Sequence, residues 1–254
     1  MLQAHSLLWH YLWVAPNVLL LGLGILLWKR KLHSQYPFFF AFSLIGAAEQ
    51  LILYISDILP SVSPGTWWFI FWACLVLEGL LKFGVIAEIF AHVFGPYRSV
   101  AKLGKTLIQV VGTLLLLLAV LAAAYAPKDS LFGIVSGAHL LEQAIYLIET
   151  GLLLFIFLFC TYFHLTFERK IFGIALGFGV SACVHLATWA ILANGGLPAS
   201  ERSIYDLINM AAYHACIIVW FYYLLTRDEP TVQSIALPEN NLALWNRELE
   251  RLLQ

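Results

Sequence analysis

Seven apolar runs, each about as long as a bilayer is thick, constrain this chain more than any other feature. They cover residues 7–28, 37–59, 67–94, 106–126, 131–165, 171–193 and 204–226. A helix needs roughly 20 apolar residues to cross about 30 Å of hydrocarbon, and each run is long enough. Four breaks are sharp: Pro60 to Pro64, Gly95-Pro96, Pro127 to Ser130, and Asn194 to Pro198. Turn formers and helix breakers of this kind punctuate spans. Composition agrees, because only 11% of the residues are charged and mean hydropathy is +0.84. A soluble domain carries about 25% charged residues to cover its surface. The balance excludes a cytosolic enzyme, a nucleic-acid binder and a disordered protein. A net charge of −1 points to no charged partner. The expected fold is all-α: a polytopic seven-transmembrane-helix bundle whose solvent is the lipid bilayer. No cleavable signal peptide is expected, since the first run is too long for a signal core and ends in a basic stop.

The loop charges set an orientation. Lys29, Arg30, Lys31, Arg98, Lys102, Lys105, Arg169, Lys170 and Arg227 fall on one side, and only Lys128 and Arg202 on the other. By the positive-inside rule the N-terminus lies outside and the C-terminus in the cytoplasm. A multi-pass protein of the bacterial-inner-membrane kind is expected. Trp28, Trp67 and Trp68 fall where an interfacial belt belongs. Residues 1–226 form the membrane domain and 227–254 a cytoplasmic tail. Within the tail, 241–254 read as an amphipathic helix: Leu242, Trp245, Leu249 and Leu252 on one side, Arg247, Glu248, Glu250 and Arg251 on the other. Such a helix lies on the membrane surface, packs under the bundle, or docks a protein partner along 238–254. No internal or inverted repeat is visible. Cys74, Cys160, Cys183 and Cys216 all sit in apolar runs without a C-x-x-C spacing, so they are expected to be small buried hydrophobes.

The polar residues within the runs carry the functional information. An ionisable side chain in hydrocarbon costs at least ~2.5 kcal/mol on insertion scales, so such residues face the bundle interior. The second run carries Glu49 and Gln50 near its midpoint. The third carries Glu78 and Lys82, then Glu88 and His92 at the same i, i+4 spacing closer to the cytoplasm. In the fifth, His139, Glu142, Tyr146 and Glu149 form one stripe at i, i+3, i+7 and i+10, with His164 at the inner edge. In the sixth, Gly173, Gly177, Ser181 and His185 recur every four residues. In the seventh, Asp206, Asn209 and Tyr213 share a face, with His214 next to Tyr213. The fourth span has no ionisable residue in its apolar core and is expected to face lipid. One or two such groups serve as interhelical glue worth about 0.6 kcal/mol each. Three carboxylates near one level are too expensive for that role. Some must be protonated, paired, hydrated or bound to something cationic.

The layout resembles that of rhodopsins and other seven-helix receptors, and the resemblance implies a ligand- or signal-responsive bundle. Retinal is not expected, because the seventh span has no lysine for a Schiff base. The leading expectation is a binding or sensor protein, or the membrane subunit of a larger assembly. Its polar pocket near mid-depth would be built from Glu49, Gln50, Glu78, Lys82, Glu142, Tyr146, Glu149, His185, Asp206 and His214. Glu78 and Lys82 would form a structural ion pair. Glu49 and Glu149 would bind ligand or protons, and His185 and His214 would be switchable donors or ligands. Two alternatives stand beside it. His185 and His214 at matched depth could bind haem b, with the glycine stripe leaving room for the macrocycle. The acidic and histidine residues could instead line a transport or proton path, or hold a metal. No P-loop, G-x-G-x-x-G, G-x-S-x-G or H-E-x-x-H motif is present, so an enzyme is the lesser expectation.

Overall fold

A computed structural model describes residues 6–95, 97–125, 131–162, 165, 168–194, 199–226, 247, 250 and 251. Its helices are α1 (Leu7–Lys29), α2 (Pro37–Ile58), α3 (Pro64–Phe94), α4 (Arg98–Tyr125), α5 (Leu131–Tyr162), α6 (Arg169–Asn194) and α7 (Ala199–Leu225), with a 3-10 turn at Leu32–Ser34. No strand occurs among the described residues. Six stretches are long and apolar enough to cross a membrane: Leu7–Lys29, Pro37–Ile58, Pro64–Phe94, Leu140–Tyr162, Arg169–Ile191 and Ile204–Leu225. That is the make-up of a multi-pass membrane protein. Helix α4, in which several side chains lie outside the described set, is not among them.

Local signals set the helix ends. Ser6 caps α1 by accepting a hydrogen bond from the Trp9 N–H at 3.2 Å. Ser63 caps α3 in the same way through Thr66, with Pro64 in the first turn. Helix α3 therefore starts three residues ahead of the apolar run. Helix α4 begins at Arg98, well before residue 106, so Arg98, Lys102 and Lys105 lie on its first two turns rather than in a loop. Basic residues at a helix N-terminus oppose the helix dipole by about 0.3–1 kcal/mol each. Lys31, at φ 57°, is the one left-handed non-glycine residue described, and it turns the chain out of α1. Arg30 beside it donates to the Leu224 and Leu225 carbonyls at 2.9 and 3.2 Å. A positive charge thus satisfies the exposed C-terminus of α7.

Helix packing closes a ring in the order α1, α2, α3, α5, α6, α7 and back to α1. Helix α3 also touches α6, across the ring. Helix α4 touches only α3 and α5 and stands outside. Its exposed residues include Leu103, Leu107, Val110, Leu114 and Leu118, the side expected to face lipid.

Between the ring helices, Phe39, Phe42, Phe178 and Trp220 form a buried aromatic layer, with centroid distances of 5.3 Å (Phe39–Trp220), 5.0 Å (Phe42–Phe178) and 4.9 Å (Phe178–Trp220). The glycine stripe of α6 faces α7. A methyl group on Gly177 would run into the Trp220 ring, and one on Gly173 into Tyr223. The space that a macrocycle would need is therefore filled by α7's own rings. The Trp220 indole N–H donates to the Ile174 carbonyl at 3.2 Å, fixing the approach. Gly177→Ala is expected to destabilise the fold by about 1–3 kcal/mol, the usual cost of overpacking. Unfolding in detergent measures this, and a variant as stable as the parent would show that the contact yields freely.

The cysteines depart partly from expectation. Cys160 and Cys216 are buried and Cys74 is half-buried, but Cys183 is exposed on the bundle surface; all four are free thiols. Most of the tail helix lies outside the described residues. Arg247, Glu250 and Arg251, all assigned to its polar side, are helical and exposed.

Candidate functional site

Lys82, on the helix that touches most of the others, organises the centre of the bundle. Its ammonium lies 3.0 Å from Glu78 Oε1, one turn earlier on α3. It also lies 3.6 Å from Glu149 Oε2 on α5 and 4.2 Å from the centroid of the Tyr146 ring. Tyr146 and Glu149 are three residues apart, so one face of α5 presents both to α3. The expected Glu78–Lys82 pair is present, but it is half of the arrangement. Glu149, fully buried, is the second carboxylate on the same cation. Both of its oxygens lack a hydrogen-bond partner among the described residues and rely on Lys82.

The cluster extends toward α6 and α7. The Tyr146 ring stacks on His185 at 4.3 Å and 19°. His185 Nδ1 is 3.1 Å from the Ser181 carbonyl. A carbonyl only accepts, so Nδ1 carries the proton. Thr188 Oγ1 lies 2.8 Å from the His185 carbonyl and 3.0 Å from Asn209 Oδ1, linking α6 to α7. Glu142, half-buried two turns along α5 from Glu149, is within electrostatic reach of Tyr146 and His185. On α7, Tyr213 is close enough to Glu49, Glu78 and Lys82 to feel their charges.

Glu49 approaches from α2. It is 5% exposed, and its Oε1 is buried without a hydrogen-bond partner among the described residues. The neighbouring charge is Glu78, of the same sign. Gln50 follows about 100° further round α2 and is half-buried. Asp206 sits near the start of α7 and is exposed, on the same side as Asn209 and Tyr213.

His185 and His214 are not brought together. His185 faces Tyr146 on α5, whereas His214 stacks on Tyr11 of α1 at 5.7 Å and 21°. A bis-histidine haem needs both rings to converge on one iron, and these rings lie against helices on different sides of the ring. Among the described residues, no three His, Cys, Asp or Glu side chains are placed to hold a metal. The side chain of His139 and all of His164 lie outside the described residues.

Glu88 has a role that its i, i+4 spacing to His92 did not suggest. Its carboxylate accepts hydrogen bonds from the Phe38 and Phe39 N–H groups at 3.2 and 3.1 Å. A side chain of α3 thereby caps the N-terminus of α2. His92 bonds instead to the Glu88 carbonyl, at 2.9 Å. The sequence held one clue: Tyr36 and Pro37 open α2 without a Ser, Thr, Asp or Asn cap, so its first N–H groups need an acceptor from elsewhere. Glu88→Leu is expected to cost about 1–3 kcal/mol, because one buried and one part-buried N–H donor lose their acceptor. Glu88→Gln, which keeps one acceptor oxygen, should lose less. Equal stability of both variants in detergent unfolding would count against the cap.

Two cavities lie beside the cluster. One of about 20 Å³ is apolar and includes Gly79, Phe83, Leu115 and Ile145 in its lining. It has room for about one water. The other, about 380 Å³, opens on the bundle surface between α5 and α6 and is lined by Leu140, Gln143, Ala144, Leu147, Leu186, Trp189 and Ala190. Neither is lined by Lys82 or its carboxylates. No family model, curated protein or solved structure matches the chain. The functional reading therefore rests on the residues and their geometry.

Proposed function

We propose that the protein is a seven-span binding or sensor protein, or the membrane subunit of a larger assembly, organised around an ion-paired centre at mid-depth. One observation carries this reading: Glu78 and Glu149 share a single ammonium, Lys82, and a third buried carboxylate, Glu49, lies beside Glu78. Two carboxylates on one cation, with a third beside them, leave an excess of negative charge where hydration is poor. Charges buried in this way persist when something positive completes the set. Hydrogen-bonding glue needs no such excess. The close contacts of Lys82 with Glu78, Glu149 and Tyr146 favour a very small ligand and support proton transfer as the second reading. Helix α4 is the seventh span, with the bilayer on its leucine-rich side. The membrane is of the bacterial-inner-membrane kind, and the basic residues gathered on one side support an N-terminus outside and a C-terminus in the cytoplasm. The tail helix would carry any contact with a protein partner.

Glu149→Gln tests the centre. The variant should fold, and its thermal midpoint in detergent should follow pH differently from the parent's. Superimposable curves would remove Glu149 from the responsive site. Orientation is tested separately by single cysteines at Lys102 and Lys128. An impermeant thiol reagent added to intact cells should label Lys128→Cys and leave Lys102→Cys unlabelled until the membrane is opened. The reverse pattern would invert the topology.

A further inference from the structure

We infer that the ligand of this centre is a proton, carried by Glu49 and exchanged through the bundle end where α2 meets α3 and α6 meets α7. The inference rests on the proposed centre and names its ligand. Glu78 and Glu149 have Lys82 within 3.0 and 3.6 Å. Glu49 has an orphaned, buried Oε1 and a like-charged neighbour. An ionised carboxylate in that position is unpaired, and close carboxylates resist ionising together. Protonation removes the charge and turns an acceptor without a donor into a donor itself. A hard metal ion is a poorer fit, since it takes six or more oxygen ligands, and the described residues place no three acidic, His or Cys side chains around one point.

The groups around Glu49 are Cys74 and Glu78 of α3, with Tyr213 of α7 also within electrostatic reach. Tyr146 and Glu149 of α5 contact Lys82, and His185 of α6 stacks on Tyr146. Helix α1 contributes His10, held by the Tyr54 hydroxyl at 3.0 Å more than a turn further along α2.

The route follows from what lies on either side of the centre. Toward the α6–α7 connection, Asp206, Asn209 and Tyr213 form a polar line along α7, and Asn209 is tied to Thr188 at 3.0 Å. Asp206 is exposed at its start. Toward the opposite end, Phe39, Phe42, Phe178 and Trp220 stack into a layer in which no ring is more than 2% exposed. The single polar hydrogen of that layer, on Trp220, is already donated to Ile174. Hydrogen-bonding groups thus lead away from the centre on one side, and an apolar seal closes the other.

Infrared difference spectra of the full-length protein in lipid vesicles, recorded between alkaline and neutral pH, test the assignment. A carbonyl band of a protonated carboxylic acid should appear, shift in D2O, vanish in Glu49→Gln and survive in Glu149→Gln. A wild-type spectrum without such a band, or a band that persists in Glu49→Gln, overturns the inference. If Glu49→Gln does not fold, Glu49→Asp should displace the band, and an undisplaced band is equally fatal. Asn209→Leu should slow the band's response to a pH jump by about tenfold while leaving its amplitude intact; an unchanged rate refutes the route. A changed thermal response in Glu149→Gln without a Glu49 band would leave the ion-paired centre standing with a different ligand.

Discussion

Lys82→Met is expected to destabilise the protein by about 3–5 kcal/mol, the cost of breaking a buried ion pair by removing one partner. The ammonium is shared by Glu78 and Glu149 at 3.0 and 3.6 Å and lies over the Tyr146 ring at 4.2 Å. Methionine fills much of the same volume, so the loss is electrostatic rather than a cavity. Glu149, fully buried, would then face Glu78 with no counter-charge. Adding Glu149→Gln should recover part of the loss, since it removes the charge that Lys82 had balanced. Equilibrium unfolding in mixed detergent reads both variants against the parent. If Lys82→Met is as stable as the parent, or if Glu149→Gln makes it worse, Lys82 does not hold the centre together.

Trp220→Ala should cost a similar amount, about 3–5 kcal/mol for a buried Trp replaced by Ala. In a bilayer, lipid tails are as apolar as the ring, so the hydrophobic effect contributes little between helices. Packing and hydrogen bonds hold them. Trp220 is 1% exposed, contacts Phe39, Phe42 and Phe178, occupies the place that a side chain at Gly177 would take, and donates to Ile174. Alanine would leave a void between α6 and α7 and an open layer beneath the polar centre. Trp220→Phe keeps most of the packing and should lose mainly the hydrogen bond, about 1 kcal/mol. The geometry also predicts coupling. Gly177→Ala, harmful in the parent, should be nearly silent or mildly favourable once Trp220 is alanine, because the two side chains compete for one space. Additive losses in the double variant would mean that the glycine serves something other than Trp220.

Several elements were legible in the sequence because they depend on short-range physics. The helix positions follow from apolar length and from breakers such as Pro60, Pro127 and Asn194 to Pro198. The Glu78–Lys82 pair follows from helical spacing alone, since residues four apart meet on any α-helix. The glycines at 173 and 177 announced a close helix approach. Other features could not be read in this way. Which residue enters the Gly177 space is a matter of how α6 and α7 register, and that residue is Trp220, not a cofactor. Whether His185 and His214 converge depends on how α6 and α7 are rotated; equal depth does not imply facing rings. Helix α4 starts at Arg98, ahead of its apolar run, because hydropathy marks where a helix becomes apolar, not where it begins.

The sequence by itself determined a helical chain built to live in lipid, because the scarcity of charge and the spacing of its breaks leave no other way to satisfy the backbone. It also determined which polar residues fall midway along the apolar runs, because position along a helix is only a count of residues. The tertiary structure decided how those residues are shared out. It gave Lys82 two carboxylates, turned Glu88 into the cap of another helix, placed α4 outside the ring and left Glu49 with an unpartnered oxygen. Pairing of this kind depends on the rotation and order of whole helices. Many apolar side chains on each helix settle that order together, and no local pattern around a single polar residue records it.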